Sequence, residues 1–572
     1  MKKAELQNTS FQDASLPFKL REHEVSRWIS DLPVTDIQRC CGLVLPILKV
    51  LNRQPMPAIA RFETLEELRP LIFLLSQKLE SQFIGAHFPL ETTTYESANN
   101  CIKFHRELAH GYDLVSLDRS FADPIYFNDL LRARTLHRAL QSYGLVIFRQ
   151  GLLYQTRSFD SWREVYALYS LAEQYEIEKV RVKDNETKTK SNVGDVFKCI
   201  LLFTLSETYH HQQHDILHIY NFLSHFSRYV ALQSADSKDD GNIASHYFKL
   251  DSDEPPRRLA DGKTIVDNGC YRYLSTQPMM RLIGEQPVPS TASDNTLATH
   301  TLVDAAIKES ILQRIMSLQK RKYTRFTENT NYKLIFSLDH LIAVFSNIIK
   351  ARGQSEKSNT TLDLDDGFEQ KHLEADEHEK VNRSNSAVTA ILDESKTRVS
   401  AQDIWTTEAN HTSLAMEDII HVYDGANSSA TGYCLIHSQT NSSKIKVGDL
   451  VGVYEEKSKI NIGLICWLEY SHNEALSFGI KLLSPEAKVV EIGVLDNLDI
   501  AYTETELSQF VNTNALFLPA FPAAKKPISL LTPPLLYEVG NWIVLKTENE
   551  NKVYRLKRLL DSSSAVSHFE IF

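Results

Sequence analysis

The chain has 572 residues, a length that predicts three or four domains, and its 42% hydrophobic content is enough for sizeable cores. The formal net charge of −11 argues against a protein that works as a whole on nucleic acid or on an anionic membrane surface. Met1-Lys2-Lys3 runs into polar Glu5, Gln7, Asn8 and Thr9 without the apolar core of a leader, and seven scattered cysteines without a C-x-x-C pair predict reduced thiols in a cytoplasmic protein.

Residues 1–300 read as mainly helical, a stack of helix pairs serving as a scaffold for an unidentified protein partner. Ile37, Cys41, Val44, Leu48 and Leu51 recur at helical spacing, as do Leu65, Leu68, Ile72, Leu75 and Leu79, with Pro70 starting or kinking the second helix. Asn128 to Tyr143 and Ser158 to Glu178 continue the series, the latter N-capped at Ser158 or Ser161. Its Trp162, Val165, Tyr166, Tyr169 and Ala172 look like half of a tetratricopeptide repeat, with no clear second copy. A small β-element is predicted near 245–282, from His246–Leu250 and Tyr271–Leu274.

His210, His214 and His218 fall every fourth residue in the helical region. Two histidines at that spacing can ligate zinc from one helix face. A metal-binding helical protein is therefore one alternative reading. The glutamate of an H-E-x-x-H protease is missing, and the interleaved Ile216, Leu217, Ile219 and Phe222 suit an ordinary amphipathic helix. No Walker A loop, G-x-S-x-G elbow or Rossmann glycine fingerprint occurs, so no catalytic residue is assigned and the chain is read as a non-enzyme without a cofactor.

Val303, Ile307, Ile311, Ile315 and Leu318 form a helical stripe leading to Arg321-Lys322-Tyr323-Thr324-Arg325-Phe326, an R-x-x-x-R pair that this helix would orient. In extended backbone residues four apart share a side, so Arg321 and Arg325 can address one ligand while Phe326 turns into the core. Guanidinium groups fork onto phosphate and onto the guanine O6/N7 edge, and they stack on bases. Residues 351–400 interrupt the pattern with Ser, Asn and crowded acids and read as a disordered acidic insertion. Beyond it comes Asn427-Ser428-Ser429-Ala430-Thr431-Gly432, an N-x-S-x-x-G loop. Asn427 and Ser429 are turn formers able to bond base edges, and Gly432 permits close backbone approach. Gly448-Asp449, Gly463-x-x-x-Trp467 and Phe478-Gly479-Ile480-Lys481-Leu482 follow as short apolar runs separated by turns, the pattern of a small antiparallel barrel.

These motifs together resemble the PilZ domain, a bacterial receptor module for cyclic di-GMP, over Gln319 to about Leu483. The resemblance implies a six-stranded barrel in 301–350 and 401–500 that binds a cyclic dinucleotide through Arg321, Arg325, Asn427, Ser429 and Gly432, with no active site and no metal. The whole then reads as multidomain α+β: an N-terminal α-helical region, an antiparallel PilZ-like β-barrel, and a small C-terminal β-module in 505–572 built from Asn541–Leu545, Val553–Leu556 and a last strand at His568–Phe572. Its function would be to couple second-messenger binding to a protein–protein output in motility, pilus or biofilm control. The remaining alternative is a scaffold that kept the barrel and lost the nucleotide.

Overall fold

The computed structural model describes residues 16–156, 158–234, 245–259, 269–285, 305–316, 324–327, 330–347, 419–437, 443–455, 459–470, 475–495, 513–522, 525–546 and 551–572. The chain divides into two compact units between Lys320 and Arg321, with the short segment Glu469–Asn473 counted in the first.

In the first unit, helices α1 (Glu22–Ser30), α2 (Ile37–Arg53), α3 (Ala58–Glu80), α4 (Thr92–Ser116), α5 (Asp129–Leu152) and α6 (Trp162–Gln174) lead to a hairpin of β1 (Val182–Asp184) and β2 (Thr189–Ser191). Then come α7 (Val193–Leu205) and α8 (Gln213–Phe226). Asp36, Asn128 and Asn192 start α2, α5 and α7 by accepting from the backbone N–H three residues on. Pro70 lies inside α3 and Ser161 is the N-cap of α6. Helix α5 runs nine residues past its predicted end at Tyr143, because Gly144 packs against Ile200 of α7 instead of breaking the helix.

Every residue of α5 from Thr135 to Leu152 is buried, so its polar side chains need partners inside the core. Arg138 pairs with Glu66 of α3 and Asp184 of β1, and Asp184 also takes Arg69 at 2.7 Å. His137 meets the Ser191 hydroxyl at 2.8 Å. Arg149 pairs with Glu80 and donates to the Cys101 thiol at 2.8 Å. The β-element is larger than predicted: β3 (Ala231–Ser234), β4 (His246–Lys249), β5 (Arg257–Arg258) and β6 (Tyr271–Ser275) form a sheet in the order β3-β6-β4-β5. Helices α9 (Gln277–Glu285) and α10 (Ala305–Met316) follow.

The second unit holds two barrels. The strands of the first are β7 (Phe326–Thr327), β8 (Asn331–Phe336), β9 (Ile420–Ser429), β10 (Gly432–His437), β11 (Leu450–Glu455), β12 (Lys459–Tyr470) and β13 (Leu476–Ser484). The order is β10-β13-β12-β11-β8-β9, and the β9–β10 hairpin closes the ring of six. Strand β7 adds to β9 beyond the end of β8. Tyr423, Leu435 and Phe478 fill the interior, with the Tyr423 and Phe478 rings 5.1 Å apart.

The C-terminal module is a closed six-stranded barrel in its own right. Its strands are β14 (Lys488–Leu495), β15 (Thr513–Leu518), β16 (Ser529–Thr532), β17 (Trp542–Lys546), β18 (Asn551–Ser562) and β19 (Ser567–Ile571), closed through β14–β17. Among the described residues strand β14 pairs only with strands of this second barrel, so the boundary between the barrels lies before Lys488, earlier than the sequence pattern placed it. A helical segment at 338–347 fills the space between the barrels. Leu338, Leu341 and Val344 share one core with Ile335 and Leu450 on one side and with Leu516, Leu518, Leu531 and Val566 on the other.

Candidate functional site

The polar motif of the first barrel sits on the β9–β10 hairpin, and a β-bulge decides which way it faces. Leu435 pairs with Gly425, but Cys434 pairs with Asn427, so Ala426 is an extra residue on β9. Before the bulge, Tyr423 and Gly425 share the face of buried Leu435. After it, Asn427 and Ser429 share the face of Cys434 and Gly432, which is the outside of the barrel. Had β9 continued its regular alternation through Ala426, both motif side chains would have turned into the core.

The turn itself is held locally. The Ser429 hydroxyl donates to the Gly432 carbonyl at 3.2 Å and accepts from the Thr431 N–H at 3.5 Å. The Thr431 carbonyl in turn accepts from the N–H of Leu482 on β13, at 2.9 Å. A Cβ at Gly432 would collide with the carbonyl oxygen of Ile480, so the glycine is dictated by close approach of two strands.

Strand β7 brings the arginine segment to this hairpin. Phe326 pairs with Ser428 and Thr327 with Asn427. Continued by one residue, the register sets Arg325 across from Ser429, and Arg325 is exposed. Phe326 does not enter the core as its alternation suggested: it lies at the open end of the barrel, 64% exposed. Arg321 and its junction with α10 lie outside the described residues.

On the other side of the hairpin, Gly432 pairs with Lys481 of β13 and Cys434 with Gly479. Two parallel rows of side chains therefore cross four strands on one outer face. Arg325, Ser429, Gly432 and Lys481 form one row, and Thr327, Asn427, Cys434 and Gly479 the other. At about 4.8 Å per strand, the two cations flank roughly 14 Å of small-residue floor. Half-buried Trp467 lies over Gly479, where any Cβ would strike its indole nitrogen. A floor without bulk, a cation at each end and an aromatic ring beside it suit a flat guest with more than one negative charge. Neither Lys481 nor Trp467 was assigned a role from sequence. The signal for Lys481 was its place as the one polar residue of the Phe478–Leu483 run.

The row ends against the second barrel. The Lys526 ammonium donates to the carbonyl oxygens of Leu482 and of Leu483, the latter at 3.2 Å. Burial first, then the charge of Lys481, pulls Lys526 down to about 8. Asp561 of β18 and His568 of β19 are cross-strand partners; the charge of Lys481 acts on both, and that of Lys526 on His568. Burial pushes the Asp561 carboxyl up while Lys481 opposes it. Burial, then Lys481 and Lys526, brings His568 down to about 4.

The histidine triplet does not assemble. His210 lies on a separate turn, Thr208–His210, with its ring nitrogen 4.0 Å from Glu207, before α8 begins. His214 and His218 meet on α8 with ring nitrogens 3.2 Å apart. No group of three metal-ligating side chains is found among the described residues.

Comparison with known proteins gives matches to three successive family models. That of the cyclic-di-GMP receptor FimW, N-terminal domain, matches residues 23–238; that of its middle PilZ domain matches 247–488; and the FimW C-terminal beta-barrel domain matches 502–571. The cyclic-di-GMP receptor FimW of Pseudomonas aeruginosa is 24% identical over 583 residues, covering 99% of this chain and 91% of that protein. No solved structure matches.

Proposed function

The chain belongs to the FimW family of PilZ-domain proteins, and on that premise we propose that it is a receptor for cyclic di-GMP. The observation that carries the reading is the pairing of β7 with the far end of β9. It brings a segment from one end of the barrel sequence beside Asn427 and Ser429, whose strand begins some ninety residues later. Arg325 would fork onto a phosphate or a guanine edge, and Arg321 would serve the same guest from four residues earlier. Asn427 and Ser429 would bond the dinucleotide's polar edge, and Gly432 would let it lie close to the strand.

The protein acts in this reading as a receptor and not as an enzyme. Occupancy would be passed along the chain from the arginine segment to the helical region preceding it, which would hold a protein partner in motility, pilus or biofilm control. Such coupling requires the ligand to favour one arrangement of that segment over another. No helix among the described residues is long and apolar enough to cross a membrane. We place the protein in the cytoplasm, where the cyclic dinucleotide would be met.

Calorimetric titration with cyclic di-GMP tests the reading on the wild type and on Arg321→Ala, Arg325→Ala and Ser429→Ala. Binding of micromolar strength or better, about −8 kcal/mol, is expected for the wild type. It should be lost in the arginine variants and weakened in the serine variant. A wild type that releases no heat at several temperatures would leave the scaffold alternative standing.

A further inference from the structure

We propose that the junction of the two barrels is a phosphate subsite of the same face, in which Lys481 of the first barrel and Lys526 of the second hold the end of the dinucleotide farthest from Arg325. The proposal rests on the cyclic di-GMP reading above and adds a wall to that site which neither motif contains.

Lys481 closes the row that begins at Arg325, and its side chain is exposed on the outer face of β13. Lys526 is fixed beside it. The Phe521–Lys526 bridge ends a tight turn, and the Lys526 amino group is anchored to the carbonyls of the two residues that follow Lys481. The third side of the junction is His568, which is 7% exposed and whose Nε2 has no hydrogen-bond partner among the described residues. A buried ring nitrogen without a partner costs free energy unless something supplies one. The Lys481 ammonium acts on one carboxylate, Asp561, whose charge burial already disfavours. The two ammonium groups therefore place positive charge side by side at the junction; burial first, and the charge of Lys481 second, lower the affinity of Lys526 for its proton.

A phosphodiester answers the charge of both lysines. It accepts from the two ammonium groups and relieves the repulsion between the lysines. A cyclic dinucleotide has two phosphates, and one row with a cation at each end can take both. The second barrel then enters binding directly, and the Thr431–Leu482–Lys526 hydrogen bonds tie it to the turn that carries the motif.

The test is calorimetry with cyclic di-GMP on the full chain for Lys481→Met, Lys481→Arg and Lys526→Met. Lys557→Met, on the exposed side of β18 against Glu570, is the control. Thermal unfolding of each variant is recorded first, because Lys526 also bonds two carbonyls. Should Lys526→Met fail to fold, the exposed Lys481 decides. Loss of the Lys481 charge is expected to weaken binding about tenfold and to flatten its salt dependence. Lys481→Arg should restore most of the affinity, and the control should bind as wild type. If Lys481→Met binds like wild type with the same salt dependence while Arg325→Ala does not bind, the subsite falls and the receptor reading stands. If the wild type itself does not bind, both fall.

Discussion

At the scale of single residues, two positions separate backbone demands from charge. Gly432 is where β10 passes so close to β13 that a methyl group has nowhere to go. Gly432→Ala should cost on the order of 2 kcal/mol, seen as a lower denaturant midpoint, and should abolish cyclic di-GMP binding by moving the Ser429 turn. A stable variant with native affinity would mean the strands can part at no cost. Asp449 works in the opposite way. It accepts from the Lys446 N–H at 2.8 Å, yet burial pushes its carboxyl up to about 6. The folded protein thus holds this proton more tightly than the unfolded chain, whose aspartate titrates near 4. Its favourable contribution is complete below about pH 4 and is lost as pH rises through about 6. Asp449→Asn keeps the acceptor and removes the charge. It should therefore gain on the order of 2 kcal/mol relative to wild type at pH 8 and little at pH 4, read from unfolding midpoints at the two pH values.

At the scale of elements, the helical unit is held by a buried ionic joint between α3, α5 and β1. Burial would raise the Asp184 carboxyl, but the Arg69 and Arg138 guanidiniums overcome that and hold it well below the usual carboxylate range. Asp184→Ala leaves the Arg69 guanidinium in the core without its carboxylate and Arg138 with Glu66 alone, and the melting transition of the helical unit should lose about 3–5 kcal/mol. A loss under about 1 kcal/mol would show that water replaces the carboxylate there. Long periodic elements such as α2 and α3 were legible in the sequence, because a helix repeats its apolar signal over several turns. The hairpin β1–β2 and strand β3 were not. Each strand is three or four residues long, and only Val182 and Asp184 among them are buried. At the site, the residue types were legible and their facing was not. The bulge at Ala426 reverses the alternation of β9, and no local pattern announces it. The partnership of Lys481 with Lys526 is set by packing of two barrels, and nothing in the spacing of either segment points to the other.

At the scale of the molecule, the second unit poses a question of which parts are needed for which. The two barrels share a core, so deleting 486–572 would uncover Leu338, Leu341 and Val344 at about 1.5–3 kcal/mol for each large apolar side chain. That truncation should yield an aggregating product without cyclic di-GMP binding. The stretch 352–412 is the contrasting case. The helical segment at 338–347 and Ile419 contribute to the same apolar cluster, so the chain leaves and re-enters the barrel at neighbouring points. A Gly/Ser linker of about twelve residues can join them. Loop-closure entropy varies only with the logarithm of length, so the exchange should favour folding by about 1 kcal/mol. The expected outcome is an unfolding midpoint equal to or slightly above wild type. Calorimetry of the same variant then separates two roles for the crowded acids in this stretch. An affinity within a few fold of wild type makes them a solvated tether. A gain beyond about tenfold at low salt, fading at high salt, would show that the acidic stretch competes with the nucleotide for Arg325 and Lys481.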